Sequence, residues 1–267
     1  MRQLLLLPTL LLPLLATAGE SPELEKIMAG EHRSEANRAR DQYRHPAQTL
    51  KFFGIKPDMT VIEISPGGGW YTDILGPYLK DHGQYVAASY DVEVPDQPAY
   101  RYRQHKALLE RFAGAPDLYD AEIVRFSPLD SIDLGPAGSA DMVVTFRNAH
   151  GWAGSDLTGQ VMAAFFEVLK PGGVLGLVQH RAPEGADPKA GNGYVPEAYV
   201  IEMAEAAGFK LDARSEINGN PKDTHDHPEG VWTLPPSLEL GDTDREKYMA
   251  IGESDRMTLR FVKPPEQ

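Results

Sequence analysis

A run of small residues follows an acid in the segment Glu63-Ile64-Ser65-Pro66-Gly67-Gly68-Gly69. Gly67 and Gly69 let the backbone turn sharply and come close to a ligand. The apolar run Val61–Ile64 precedes this loop and a helical pattern over Trp70–Leu79 follows it, so the helix N-terminus faces the same ligand. The segment predicts a ligand site at the edge of a sheet. The simpler alternative is a plain strand–turn–helix connection.

The loop does not complete the pattern of a dinucleotide site. The dinucleotide fingerprint is G-x-G-x-x-G. Gly67 and Gly69 supply its first two glycines, but Thr72 occupies the third position. A nicotinamide oxidoreductase is therefore the least favoured of the functions considered.

A second polar cluster, Arg147-Asn148-Ala149-His150-Gly151-Trp152, follows the buried strand pattern at Met142–Phe146. At the carboxyl edge of a parallel sheet it would lie beside the glycine loop. Asn148 and His150 are the candidate catalytic residues, which would orient or deprotonate a substrate, and His150 is the first choice as general base. The alternative is that Arg147 and His150 pair with local carboxylates and Trp152 packs in the core. His180-Arg181, after the next strand, has the same two interpretations.

A third cluster lies in a long polar stretch and contains Asp223, His225 and His227. Imidazole and carboxylate together suit zinc or manganese. A solvated loop is the favoured interpretation, so we expect no metal ion here. The nearby apolar segment Val231–Pro236 would fold back as a cover over the site.

Alternating strand and helix patterns must position these clusters. Such alternation predicts an α/β fold with a mostly parallel sheet of seven strands, helices on both faces and an antiparallel last strand. The expected strands are Val61–Ile64, Tyr85–Ala88, Glu122–Phe126, Met142–Phe146, Val174–Val178, Gly208–Ile217 and Met257–Val262, and the helices between them are Trp70–Leu79, Ala99–Phe112, Leu157–Leu169 and Pro196–Ala207. Lys170-Pro171-Gly172-Gly173 predicts a tight turn between a helix and a strand.

These motifs resemble those of class I S-adenosylmethionine-dependent methyltransferases from about Pro46 to Pro264. The acid and glycine loop matches the family's first motif, except that Ser65 replaces the first glycine. Asp141–His150, Leu169–Gly173 and Ala206–Phe209 resemble the family's fourth strand with its polar tip, the turn before its fifth strand and the helix end before its sixth. The whole is most similar to a group of exported, uncharacterised predicted methyltransferases.

The resemblance implies a Rossmann-like methyltransferase fold that binds S-adenosylmethionine. In that family the glycine backbone lies along the methionine and ribose, and the acid lies close to the cofactor. The acid expected after the second strand, which binds the ribose hydroxyls, is replaced by Ser89, so Asp91 is the substitute candidate. The implied cofactor-binding residues are Glu63, Ser65, Gly67, Gly69, Asp91, Asp130 and Arg147.

Composition limits location and partners. The first eighteen residues combine Arg2, an apolar run and Ala16-Thr17-Ala18, a pattern typical of a signal peptide, so we expect export, to a bacterial periplasm, and no stable membrane insertion after cleavage. The absence of cysteine excludes disulfides and thiolate ligands. A formal net charge of -13 disfavours a nucleic-acid substrate.

The expected organisation is a signal peptide at 1–18, a helical extension at 19–45, and a methyltransferase-like Rossmann domain at 46–267 with an irregular insertion at about 218–255. The favoured function is methyl transfer from S-adenosylmethionine to a small molecule. The alternative is a periplasmic ligand-binding protein that kept the fold and lost or changed the chemistry.

Overall fold

The computed structural model describes residues 22–265. The expected signal peptide at 1–18 lies outside these residues. Among the described residues, no helix combines the length and the apolar character that crossing a membrane requires.

Strands and helices alternate along the chain, and the single large sheet contains both parallel and antiparallel strands. Its strands are β1 Thr60–Ile64, β2 Gln84–Ser89, β3 Ala121–Ser127, β4 Ser131–Asp133, β5 Ala140–Phe146, β6 Leu169–Ala182, β7 Val195–Pro196, β8 Lys210–Ser215 and β9 Arg256–Val262. The spatial order is β4-β3-β2-β1-β5-β6-β9-β8, with β7 pairing β6 away from this path. β1, β2, β3, β5 and β6 pair in parallel, whereas β9 runs antiparallel to β6 and β8.

The predicted fold class is confirmed, but the predicted strand count of seven is wrong, because the sheet has nine strands within residues 22–265. The two additional strands are β4, an antiparallel hairpin partner of β3, and β7, which is two residues long. Neither is long enough to show a hydrophobic period in the sequence.

Ten α-helices accompany the sheet in the described part of the chain. They are α1 Pro22–Met28, α2 Glu35–Arg38, α3 Asp41–Arg44, α4 Pro46–Phe53, α5 Thr72–Leu79, α6 Ala99–Gly114, α7 Ala149–Gly154, α8 Thr158–Val168, α9 Glu197–Ala206 and α10 Arg245–Ile251. A short 3-10 helix spans Gly230–Thr233.

The core forms two layers because alternate side chains of each strand point to opposite faces. In β1, Ile62 and Ile64 join the cluster under α8 and α9, while Val61 joins the cluster under α4 and α5. The helices therefore cover both faces, which leaves the carboxyl ends of the parallel strands as the open edge for a site.

The predicted turn at Lys170–Gly173 is a bulge within β6. Ala140 pairs with Leu169 and Met142 with Val174, so the intervening residues of β6 have too few partners on β5. Gly172 adopts a φ of 79°, and its N–H donates to the carbonyl of Lys263. The antiparallel last strand thus satisfies the backbone of the bulge.

Candidate functional site

Two adjoining cavities open at the carboxyl edge of β1 and β5. The larger, of about 420 Å³, is called the polar chamber, and the smaller, of about 140 Å³, the apolar chamber. The apolar chamber is named for its wall of Phe126, Pro128, Leu129, Trp152 and Leu157, and polar side chains, among them Arg101 and Ser155, line the rest of it. The residues that line both chambers are Ser65, Tyr90, Tyr100, Asn148 and His150.

The glycine loop forms one wall of the polar chamber. Gly67 and Gly69 have φ values of 60° and 79°, which a side chain disfavours. A Cβ at Gly69 would lie 2.7 Å from Nε of Arg111. Arg111 holds the loop to α5, since it pairs with the buried carboxylate of Asp73 and donates to the carbonyl of Gly68 at 2.9 Å.

Two residues other than glycine also occupy the left-handed region at this edge. Ser65, directly after β1, has a φ of 47°, and Arg147, directly after β5, has a φ of 64°. Such conformations cost on the order of 1–3 kcal/mol and persist where the surroundings impose them. Both residues line the polar chamber, so part of the chain's backbone strain lies at the candidate site.

Glu63 lies buried at the end of β1 and lines the polar chamber. Its Oε2 accepts hydrogen bonds from the Tyr85 hydroxyl at 2.6 Å and the Thr72 hydroxyl at 3.0 Å. Burial raises the pKa of Glu63 to about 7, against the lowering effect of these two hydrogen bonds. Thr72, which breaks the dinucleotide pattern, therefore serves to hold this acid.

Asn148 joins the tips of the two central strands. Its side-chain amide donates to the carbonyl of Ile64 at 2.9 Å and to the Thr145 hydroxyl at 3.1 Å. The orientation leaves Oδ1 directed away from these acceptors, and the residue lines both chambers. Asn148 thus positions the glycine loop as well as facing the cavities.

His150 lies where the two chambers meet, with its ring 5.8 Å from that of Trp232. Buried Gln179 accepts from the N–H of Ala149 at 3.1 Å and donates to the carbonyl of Gly193 at 2.9 Å, which fixes its amide orientation. Its remaining N–H approaches Nδ1 of His150 at 3.5 Å. This contact favours the tautomer that carries its proton on Nε2. Burial lowers the pKa of His150, so the ring is neutral at neutral pH.

The structure does not bring Asp91 or Asp130 to the lining of either chamber. The buried carboxylate of Asp91 accepts a hydrogen bond from the backbone N–H of Glu93 at 3.0 Å. The backbone N–H of Asp91 donates to the hydroxyl of Ser127. Asp130 is exposed after β3. Ser89, at the end of β2, contacts Nδ1 of His105 at 3.0 Å. Tyr90 is the residue after β2 that lines both chambers.

The polar cluster around Asp223 is a hydrogen-bonded support. Buried Asp223 accepts from the Tyr194 hydroxyl at 2.9 Å, contacts Nε2 of His227 at 2.8 Å and accepts from the N–H of Asp255 at 2.8 Å. His225 contacts Asp255. Within residues 22–265, no group of three or more acidic, histidine or cysteine side chains is arranged to hold a metal ion.

The C-terminal insertion reaches the site in two ways. Trp232 and Pro236 line the polar chamber, at the segment expected to form a cover. Farther along, buried Glu253 binds three guanidinium groups: Nε of Arg40 at 2.6 Å, Nε of Arg44 at 3.1 Å and Nη1 of Arg256 at 3.2 Å. The insertion therefore joins the N-terminal helices to the sheet.

The sequence patterns singled out Arg147 but missed Arg40, Arg44 and Arg256, which cluster with it. Arg40 and Arg44 line the polar chamber beside Arg147, and Arg44 lies 4.7 Å from the ring centroid of Trp70. One signal was visible: residues 33–44 carry four arginines in a chain with a net charge of -13. A local basic run in an acidic protein indicates a site that faces negative charge.

Comparison with known proteins shows the fold. No protein-family model matches the chain, and no curated protein matches its sequence. Among solved structures, a SAM dependent methyltransferase from Aquifex aeolicus aligns with a TM-score of 0.56 and 17% identity, over 84% of this chain and 93% of the other. The cyclase SpnF aligns with a TM-score of 0.59 and 14% identity, over 89% and 86%.

A third structure, an S-adenosylmethionine dependent methyltransferase from Mesorhizobium loti, aligns with a TM-score of 0.50 and 11% identity, over 81% of this chain and 96% of the other. These likenesses extend over most of each chain. They place the chain in the Rossmann-like methyltransferase fold. Since fold alone does not fix a reaction, the function has to be argued from the site.

Proposed function

We propose that this protein is an S-adenosylmethionine-dependent methyltransferase that acts on a small molecule. The observation that carries the proposal is the glycine loop, with Gly67 and Gly69 in left-handed conformations, which forms one wall of the polar chamber through Ser65, Pro66, Gly67 and Gly68. In an open α/β sheet this edge is the ligand site. The similarity in fold to methyltransferases supports the same conclusion.

The residues present fit this cofactor in most respects. The apolar chamber, between Leu129 and Trp152, suits an adenine ring, and the glycine backbone suits the amino acid and ribose. Glu63 would offer its carboxylate to the positive end of the cofactor. The fit departs from the family pattern at the ribose, since the carboxylate of Asp91 is engaged elsewhere. Tyr90 and Gln104 are the polar side chains that line the cavity near that position.

When bound, S-adenosylmethionine would supply an electrophilic methyl group, which passes to a nucleophile while S-adenosylhomocysteine leaves as the neutral sulfide. The protein must then align the acceptor and exclude water, and such positioning can contribute roughly 7–11 kcal/mol to the lowering of the barrier. Asn148 fixes the loop against β5. Trp232 and Pro236 line the polar chamber. These residues would help to hold the loop in place and to limit the entry of solvent.

We propose further that His150 acts as a hydrogen-bond donor to the acceptor through Nε2. Gln179 approaches Nδ1, so neutral His150 carries its proton on Nε2, and the residue lines both chambers. A hydrogen bond to a charged group contributes about 1.5–3 kcal/mol, so His150→Ala should slow methyl transfer roughly tenfold to a hundredfold, while His150→Gln, which retains an N–H, should preserve most of the rate. Transfer of labelled methyl groups to host extract measures both variants. Equal losses in the two would instead indicate the general base.

Calorimetry on the chain lacking residues 1–18 tests the cofactor. We expect S-adenosylhomocysteine and S-adenosylmethionine to bind one site per chain, and NAD to give no heat of binding. Failure of both sulfur compounds to bind would overturn the proposal. Binding of NAD but of neither sulfur compound would instead support a nicotinamide oxidoreductase, despite Thr72.

A second candidate is a binding protein, or a protein with different chemistry, built on the same fold. The absence of a chamber-lining acid after β2 favours it, and SpnF is a cyclase with this fold. Binding of the cofactor without methyl transfer to any component of host extract would support this candidate.

We also propose that the protein is exported to the periplasm. Fractionation of the native host tests this, and full-length, uncleaved protein in the cytoplasm would contradict it.

A further inference from the structure

We propose that the acceptor carries a carboxylate or phosphate group, which Arg44 and Arg147 bind in the polar chamber. This inference rests on the proposed function and deepens it by naming the class of substrate.

Arg44 is a buried cation with unused donors. Its side chain is 2% exposed, it lines the polar chamber, and its Nη1 and Nη2 have no hydrogen-bond partner. Only its Nε is engaged, by Glu253 at 3.1 Å. A buried guanidinium with two unpaired nitrogens is costly unless a ligand completes it. Carboxylate and phosphate oxygens match that pair of donors.

Arg147 offers a second guanidinium to the same space. It follows β5 in a left-handed conformation and lines the polar chamber. Its guanidinium forms no ion pair or hydrogen bond with any residue of the described chain. Burial and the nearby charge of Arg256 lower the pKa of Arg147 to about 10, so it is still a cation at neutral pH.

The charges around the chamber do not balance. Four guanidinium groups, those of Arg40, Arg44, Arg147 and Arg256, are clustered around a single carboxylate, Glu253. Glu63 is the sole acid in the lining of the chamber as described, and its pKa is about 7. Counting Glu63 as ionised, four positive charges face two negative charges, which leaves a surplus of two. His150 and His180 add no charge, since burial lowers the pKa of both.

The cofactor would not remove this surplus. S-adenosylmethionine carries a sulfonium, an ammonium and one carboxylate, so its net charge is positive. Binding it beside the arginine cluster increases the repulsion, and an anionic acceptor would neutralise both. A buried site with a positive surplus also disfavours neutral and cationic competitors of the acceptor, since these would leave its guanidinium groups unpaired. The acceptor therefore contributes an anionic group that the chamber recognises.

The test titrates inorganic phosphate and acetate into the protein, both free and saturated with S-adenosylhomocysteine, at constant ionic strength set with chloride. We expect at least one anion to bind the saturated protein and raise its melting temperature. Arg147→Gln should weaken that binding about tenfold or more. The preferred probe indicates a phosphate or a carboxylate acceptor.

Arg214→Gln is the matched control, since Arg214 is exposed, pairs with Glu197 and lies outside both chambers. It should leave anion binding unchanged. Equal effects in the two variants, or no anion binding by the saturated protein, would overturn the proposal. So would mutual displacement of anion and S-adenosylhomocysteine, because the guanidinium groups would then hold the cofactor's own carboxylate. Binding of anion through Arg147 with no binding of S-adenosylhomocysteine would defeat the cofactor assignment and keep the anion site.

Discussion

Glu253→Gln is expected to lower the free energy of unfolding by about 3–5 kcal/mol, the usual cost of removing one partner from a buried ion pair. The carboxylate is buried and accepts from Arg40, Arg44 and Arg256. Glutamine keeps the size of the side chain but leaves these cations without their common counter-charge. Urea denaturation at pH 7 measures the change.

The free energy of unfolding lost in Glu253→Gln should become smaller as the pH falls. Burial alone would raise the pKa of Glu253, but Arg44, Arg256 and Arg40 lower it to about 2, from 4.5. A depressed pKa contributes stability that is present above the unfolded value and is lost as pH falls through the folded value. The difference between wild type and Glu253→Gln should therefore be full above about pH 5 and shrink toward pH 2.

Glu110→Gln is the control for this prediction. Glu110 pairs with Lys106 on the surface of α6 at 3.6 Å, and both side chains are largely exposed. Exposed pairs of this kind contribute little, so Glu110→Gln should leave the denaturation midpoint unchanged. Equal destabilisation by the two variants would mean that Glu253 does not act as the counter-charge of a buried cluster.

Periodicity and loop composition sufficed to predict the sheet and the place of the site. The strands β1, β5 and β6 contain near-continuous apolar runs, typical of parallel strands buried on both faces. A glycine loop after the first of them fixes the binding edge without any knowledge of tertiary contacts. The short strands β4 and β7 escaped because two or three residues carry no period.

The charge of the site could not be predicted in the same way. The ion pair of Arg44 with Glu253 spans 209 residues, and no local pattern links the two. Asp91 shows the reverse problem: its position in the sequence suits the ribose, but hydrogen bonds with Glu93 and Ser131 engage its carboxylate. Which polar residues face a cavity is decided by long-range packing, which a single sequence does not encode in its spacing.

Gly69→Ala is expected to lower the affinity for S-adenosylhomocysteine roughly tenfold to a hundredfold and to destabilise the chain. An alanine at a φ of 79° is strained by on the order of 1–3 kcal/mol. Its Cβ would also lie 2.7 Å from Nε of Arg111. Moving Arg111 would weaken its pairing with the buried carboxylate of Asp73, and the loop would lose the clamp that shapes the polar chamber.

Gly68→Ala separates this effect from the mere addition of a methyl group. A Cβ at Gly68 meets no atom within 4 Å, and Gly68 is not among the residues with positive φ, so this variant should melt close to wild type. Calorimetry and thermal unfolding of the two alanine variants, side by side, give the comparison. If Gly69→Ala and Gly68→Ala matched in both measurements, the shape of the loop would not be what binds the ligand. A large difference between the two variants would show that the affinity depends on the left-handed backbone at Gly69, because each variant adds one methyl group at adjacent positions of the same loop.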